Sequence, residues 1–328
     1  MSPETVSLDE ASQVPRWVHR FAVVTACATL CLIFVGGLVT STASGLAVPD
    51  WPLSFGQVFP PMVGGVLYEH GHRLVAALVG MLTVTLVVLL SNWEPRAWVR
   101  RLGWGALAAV LLQGSLGGLT VLLRLPTSVS VTHACLAQVF LCLTVTIAVC
   151  TSPRWLASRP VGVETAVLSL RVLTRVTVGL VFVQLILGAL MRHTGAGLAI
   201  PDFPLAFGRV IPPFTSQGVL IHFLHRAGAL AVAIVSLWTV ARVLSAFGSE
   251  SQLRRPALAL LALLMLQLTL GALTIWTQRA VTPMTAHVAV GAAVLATSVI
   301  LALRTTRLVG PRRSQAQTQT LISERVTA

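Results

Sequence analysis

Eight long apolar runs, each closed by a polar or Gly/Pro-rich stretch, set the rhythm of the chain. They fall at about Trp17–Val39, His72–Leu90, Trp104–Leu123, Val131–Cys150, Arg171–Met191, His225–Leu244, Ala257–Trp276 and Thr285–Leu303. Each is long enough to cross a bilayer as a helix, which takes about 20 apolar residues. The pattern predicts an all-α polytopic membrane protein with eight transmembrane helices. The first sixteen residues are polar and carry Glu4, Asp9 and Glu10, so they do not read as a cleavable signal peptide. After Arg304 the chain turns polar again and reads as a disordered tail.

Composition removes the competing classes. Of 328 residues, 55% are hydrophobic and 10% charged, with a mean hydropathy of +0.84, whereas soluble domains carry about 25% charged residues. So much apolar surface excludes a water-soluble fold and intrinsic disorder alike. The net charge of +13 involves no lysine: all 23 basic residues are arginine. They punctuate the gaps between apolar runs instead of forming one patch, so membrane lipid is the expected surrounding and nucleic acid is not an expected partner. Arg16, Arg20, Arg96, Arg100, Arg101, Arg154, Arg159, Arg171, Arg175, Arg242, Arg254, Arg255 and five in the C-terminal stretch share one side, 17 of the 23. The positive-inside rule then makes both termini cytoplasmic, in a cell inner (plasma) membrane, with the loops after the first, third, fifth and seventh spans facing outward. The cysteines (Cys27 and Cys31 in the first run; Cys135, Cys142 and Cys150 in the fourth) lack disulfide or zinc spacing and read as small apolar packing residues.

The chain is a tandem duplication. GGLVTSTASGLAVPDWPLSFGQVFPP at 36–61 recurs as GALMRHTGAGLAIPDFPLAFGRVIPP at 188–213, an offset of 152 without a gap. VLYEHGHR at 66–73 recurs as VLIHFLHR at 219–226, and LLQGSLGGLTV at 111–121 as MLQLTLGALTI at 265–275. Four spans per half is an even number, so both halves share one orientation and a pseudo-twofold axis along the membrane normal is expected. The predicted organisation is a tail at 1–16, a four-helix bundle at 17–151, a cytoplasmic linker at 152–170, a second bundle at 171–305 and a cytoplasmic tail at 306–328. The outward loops after the first and fifth spans run to about 30 residues, long enough to carry function or local structure. In them Pro49 and Pro201 favour turns ahead of Asp50 and Asp202, and Trp51 and Phe203 read as interface anchors or a lid.

The repeat also sorts eight histidines. His72 pairs with His225, each followed by arginine, and His133 pairs with His287; His19, His70, His193 and His222 have no histidine twin. The apolar runs put all four paired histidines in the first turn of the even-numbered spans, at one depth near the outer edge of the hydrocarbon. Intramembrane histidines are disfavoured and mark functional sites. Two imidazoles at one depth on alternate helices of a bundle suit axial ligation of haem iron from both faces, whereas two histidines without a carboxylate or thiol are an incomplete set for zinc or copper. Glu69, three residues before His72, aligns with His222, so one site has an acid beside its histidine and the other does not; it reads as a proton relay or as a solvated loop glutamate. Arg73 and Arg226 suit haem propionates or lipid headgroups. Gln113 and Gln267 align and read as ordinary interhelical hydrogen-bonding residues; Gly117 and Gly118 read as close packing.

These residues bring a family into view. GGLVTSTASGLAVPDWPL, Glu69-x-x-His72-Arg73 and His133 in the first half, with TGAGLAIPDFPL, His225-Arg226 and His287 in the second, resemble the haem A synthase family of cytochrome oxidase assembly proteins. The resemblance covers essentially all eight spans. It implies an enzyme that converts haem O to haem A, oxidising one ring methyl by successive hydroxylations to a formyl group. It further implies a haem b cofactor at His225 and His287, substrate haem at His72 and His133, and Glu69 near the reaction, with haem O synthase and cytochrome oxidase assembly factors as partners. One departure is plain: many bacterial members carry a cysteine pair where this chain has Val48 and Ser54. The alternative is a di-haem electron-transfer protein of cytochrome b type without bond-making chemistry, which would hold both haems permanently. A transporter fits the duplication and leaves the histidine symmetry unexplained.

Overall fold

The structure, a computed structural model, describes residues 14–163 and 168–310. The polar stretches at 1–13 and 311–328, and residues 164–167 of the linker, lie outside the described residues. Eight of the described helices are long and apolar enough to cross a membrane. They are α1 (Arg16–Ser41), α2 (Gly65–Trp93), α3 (Ala97–Leu122) and α4 (Thr127–Cys150), then, after a short α5 (Pro153–Leu156), α6 (Leu170–His193), α7 (Gln217–Phe247), α8 (Ser251–Trp276) and α9 (Val281–Leu308).

Buried polar side chains in these helices are mostly threonines whose hydroxyls donate to the carbonyl one turn back, as Thr29 does to Thr25, Thr83 to Val79 and Thr177 to Leu173. Such a bond hides the hydroxyl within its own helix, the least costly solution where water is absent. Large residues such as Leu111, Met81 and Leu230 stand more than 60% exposed, as a surface that meets lipid tails requires. Packing concentrates on α1, α4, α6 and α9, which contact one another, while α2 and α3 flank one side and α7 and α8 the other. One continuous core, including Val18, Leu86, Phe140, Leu173, Val243 and Leu295, runs through both halves.

The described part of the linker is tied down by backbone and side-chain bonds. Gly162–Val163 pairs in parallel with Val309–Gly310, the Val161 N–H donates to the Leu308 carbonyl at 2.8 Å, and Arg171 Nε donates to the Val309 carbonyl at 2.6 Å. These bonds tie the junction between the halves to the end of α9.

The histidine depth needs correction. α2, α4, α7 and α9 begin at Gly65, Thr127, Gln217 and Val281, earlier than the apolar runs imply. The paired histidines therefore lie about two turns inside their helices, roughly 10 Å along the axis at 1.5 Å per residue, rather than in the first turn. Local chemistry sets these starts: Ser216 Oγ accepts the Val219 N–H, and Pro126 precedes α4 in extended backbone. Counted from their helix starts, the four lie six to eight residues in.

Candidate active site

Each paired imidazole lies against a glycine, and the four glycines are themselves repeat partners. A Cβ added at Gly36 would stand 3.0 Å from His72 Nε2, and one at Gly188 would stand 3.1 Å from His225 Cε1. At Gly117 it would meet His133 Cε1 at 3.3 Å, and at Gly271 it would meet His287 Cε1 at 3.2 Å. The glycines let each ring come close to its neighbouring helix. Glutamine amides complete three of the four positions. Gln113 Nε2 donates to the His133 carbonyl (3.0 Å), and Gln184 Nε2 lies 3.0 Å from His225 Nδ1. Gln267 Nε2 stands 3.3 Å from His287 Nε2, and its carbonyl lies 3.2 Å from His287 Nδ1. Gln113 and Gln267, assigned from sequence to ordinary interhelical bonding, thus serve the histidines directly. Gln184 has no twin, its counterpart being Leu32, so the repeat gave no signal for it.

The two histidine pairs differ. The ring centres of His225 and His287 are 6.5 Å apart at an interplanar angle of 67°. Two imidazoles on opposite sides of one metal, each nitrogen about 2 Å from it, put their ring centres about 6 Å apart. That spacing is compatible with one iron between them, and His287 Nδ1 lies 3.2 Å from the Gln267 backbone carbonyl, the kind of contact that orients a ligating imidazole. No ring contact forms between His72 and His133. Among the described residues no three His, Cys, Asp or Glu side chains converge as a metal ion held by protein alone would require.

Above each pair sits the same folded loop. Asp50 accepts from the Phe55 and Gly56 N–H groups at 2.7 and 2.8 Å, and Asp202 does so from Phe207 and Gly208 at the same distances. The N–H groups of Gly56 and Phe55 hold the Asp50 carboxyl below the usual carboxylate range, as those of Gly208 and Phe207 do for Asp202. Gly56 and Gly208 take φ of +70°, a turn conformation that glycine adopts without strain. Arg73 donates to the carbonyls of Asp50 and Leu53, and Arg226 to those of Asp202 and Leu205. Both arginines, expected to meet propionates or headgroups, thus clamp the loops onto α2 and α7.

Glu69 is 4% exposed, so it is not a solvated loop residue. Its Oε2 accepts the Val48 N–H at 2.8 Å and its Oε1 accepts from Arg73 at 2.6 Å. His222 occupies the equivalent place, and its Nδ1 accepts the Ile200 N–H at 3.2 Å. Carboxylate and imidazole perform one structural task, and only the first half gains an ion pair from it. A second divergence accompanies the first. Ser54 Oγ and His70 Nδ1 are 2.7 Å apart, with His70 Nε2 buried and unpartnered. The equivalents are Ala206 and Phe223, which pack apolar against each other's cluster. Trp51 lies on Gly118, where a Cβ would be 2.7 Å from the indole, next to the glycine that abuts His133. Phe203 instead packs edge-on against Trp276 at 5.9 Å, beneath the Arg226 guanidinium. His193 closes α6, and its carbonyl accepts from Thr127 Oγ1 at 3.4 Å.

Known proteins resemble the chain throughout this region. The COX15-CtaA family model, described as cytochrome oxidase assembly protein, matches residues 63–299. A haem A synthase of Symbiobacterium thermophilum is 35% identical over 260 residues, 74% of this chain and 81% of that protein. One from Geobacillus kaustophilus is 30% identical over 310 residues, 89% of this chain and 93% of that protein. One from Shouchella clausii is 29% identical over 237 residues, covering 68% and 76%.

Proposed function

The chain belongs to the COX15-CtaA family of cytochrome oxidase assembly proteins and is a multi-pass membrane enzyme of haem A biosynthesis, and we propose that it converts haem O to haem A by successive hydroxylation of one ring methyl to a formyl group. The observation that carries this reading is the fourfold histidine–glycine arrangement, two imidazoles per half, with a buried carboxylate in one half alone. The second half, 171–305, holds a resident haem b at His225 and His287; their 6.5 Å ring spacing supports that role. Haem supplies one-electron and oxygen chemistry when bound. The first half, 17–151, takes substrate haem O at His72 and His133, a pair without ring contact and so without a fixed clamp. Glu69 holds or moves a proton beside the reacting group, with Arg73 fixing its orientation. Trp51 and the clamped loop cover the site and exclude water. The substrate arrives from a haem O synthase, the product leaves to cytochrome oxidase assembly factors, and both termini are cytoplasmic in the inner membrane.

The di-haem electron carrier of cytochrome b type differs in one readout. A carrier retains two haems, whereas a synthase releases one. Full-length protein expressed beside a haem O source, followed by extraction and chromatography of the haems, should yield hydroxymethyl and formyl products and one firmly held haem per chain. His287→Ala should strip that haem. Two permanent haems with no oxidised product would favour the electron carrier.

A further inference from the structure

Six arginines stand on the outer side: Arg73, Arg124, Arg192, Arg209, Arg226 and Arg279. Arg73 and Arg226 are twins with matching tasks at the loops. The rest have no arginine counterpart, the equivalent positions being Gln278, Thr40, Gln57 and Leu125 in that order. Three of these four unmatched cations belong to the second half, and two of those, Arg192 and Arg279, stand at the outer end of α6 and beside the loop that follows it.

Arg192 is in the last turn of α6. It follows Gln184 and Gly188 at four-residue steps, so all three share one helix face. Gln184 and Gly188 are the residues that touch His225. Arg192 therefore leaves the helix one turn outward of the imidazole, on the same side. One terminal nitrogen donates to the Gly37 carbonyl at 2.9 Å and to Ser41 Oγ at 2.8 Å, both on α1. Its Nε is buried without a partner. The ion pairs among the described residues are Glu69–Arg73 and Glu94–Arg96, so neither Arg192 nor Arg279 has a carboxylate. Arg279, beside Gly197 at the end of α8, makes no side-chain hydrogen bond among the described residues. A Cβ built at Gly197, in the loop directly after α6, would stand 3.8 Å from Arg279 Cδ and Nε, so both cations stand at the outer end of α6. Like charges brought to one end of a bundle repel unless an anion joins them. Asp202, the acid of this loop, is already bound to two backbone N–H groups.

We infer that Arg192 and Arg279 form a carboxylate site on the outward side of the His225–His287 pair, and that it takes the two propionate groups of the haem held there. The inference rests on reading that pair as haem ligands. Guanidinium groups bind carboxylates through paired, charge-assisted bonds, and the diacid supplies the two negative charges that the cluster lacks. The competing role for Arg192 is a staple between α6 and α1, which its bonds to Gly37 and Ser41 would serve without any ligand.

Haem and its dimethyl ester separate the two roles, because esterification removes the carboxylate charge and leaves the iron. Full-length protein carrying His72→Ala, which confines binding to the second half, is freed of haem and titrated with iron protoporphyrin IX or its dimethyl ester while the Soret band is followed. The parent should prefer the diacid at least tenfold. Arg192→Gln with Arg279→Gln should bring the two ligands within about threefold of each other, and Arg192→Lys should restore part of the preference. Equal weakening of both ligands, or an undiminished preference for the diacid, would overturn the site. His287→Ala is the independent arm. If it leaves affinity and the bis-imidazole spectrum intact, the haem reading of the pair fails, and the propionate assignment with it.

Discussion

Glu69 and His222 occupy one position in the two halves and accept one equivalent backbone N–H, from Val48 or Ile200. What distinguishes them is charge. Glu69→Gln keeps an oxygen for Val48 and removes only the carboxylate that pairs with Arg73, so the loop should stay folded. A positioned acid or base contributes roughly 100-fold or more to a rate; formation of formyl haem should fall by about that factor, while the haem content of the second half is unchanged. Full conversion by the variant would reduce Glu69 to a loop tether. The glycines give a complementary test. Gly188→Ala would place a methyl 3.1 Å from the His225 ring, tight enough that the imidazole must shift, at an overpacking cost of about 1–3 kcal/mol. Purified Gly188→Ala protein should lose most of its Soret absorbance, whereas Gly179→Ala, which meets nothing within 4 Å, should keep it. Equal haem in both would mean the glycine contacts do not position the ligand.

At the scale of elements, the loop and the helix beneath it form one unit used twice. Its arginine clamp and Asp turn are the same in both halves, and among its differences are Glu69, Ser54 and His70 against His222, Ala206 and Phe223. The protein thus supplies its own control. Ser54→Ala with His70→Phe installs the apolar pair that packs in the second half, so the fold should survive; formation of oxidised haem should drop several-fold, with Tm within a few degrees of the parent. A collapse in Tm would make the pair purely structural, and unchanged turnover would leave it without a role. Much of this unit was legible beforehand. The PD-W/F-PL motif, its duplication and the histidine pairing all stand in the sequence, because polar, Gly and Pro residues retain identity where apolar text does not. Helix starts were misplaced because Thr127 and Gln217 are polar yet helical, and hydropathy registers lipid contact instead of hydrogen bonding. The glycine against each imidazole was hidden, since a glycine in an apolar helix looks the same whether it meets a leucine or a histidine. Gln184 was missed because its counterpart is Leu32.

In the whole molecule the halves share a single core through α1, α4, α6 and α9, which brings the helices bearing His133 and His287 into direct contact. One member of each pair is therefore carried on helices that pack directly against each other. The same arrangement explains the outward arginines. Translocating a cation opposes the positive-inside bias, and Arg73, Arg192 and Arg226 each hold a hydrogen-bonded place beside a histidine pair that offsets it. Most of the other arginines gather at the opposite ends, where Arg96 pairs with Glu94 and Arg171 bonds the α9 terminus. This division predicts the orientation. Alkaline phosphatase, which folds only outside the cytoplasm, should be inactive when fused after Gly310 and active when inserted between Gly56 and Gln57, at the exposed turn of the first outward loop. A green fluorescent protein at residue 310 should give the reverse pattern, bright where phosphatase is silent. Active phosphatase at Gly310 would invert the protein in the membrane and put all four histidines beneath the cytoplasmic face, where the outward arginines would lose their explanation as retained functional charges.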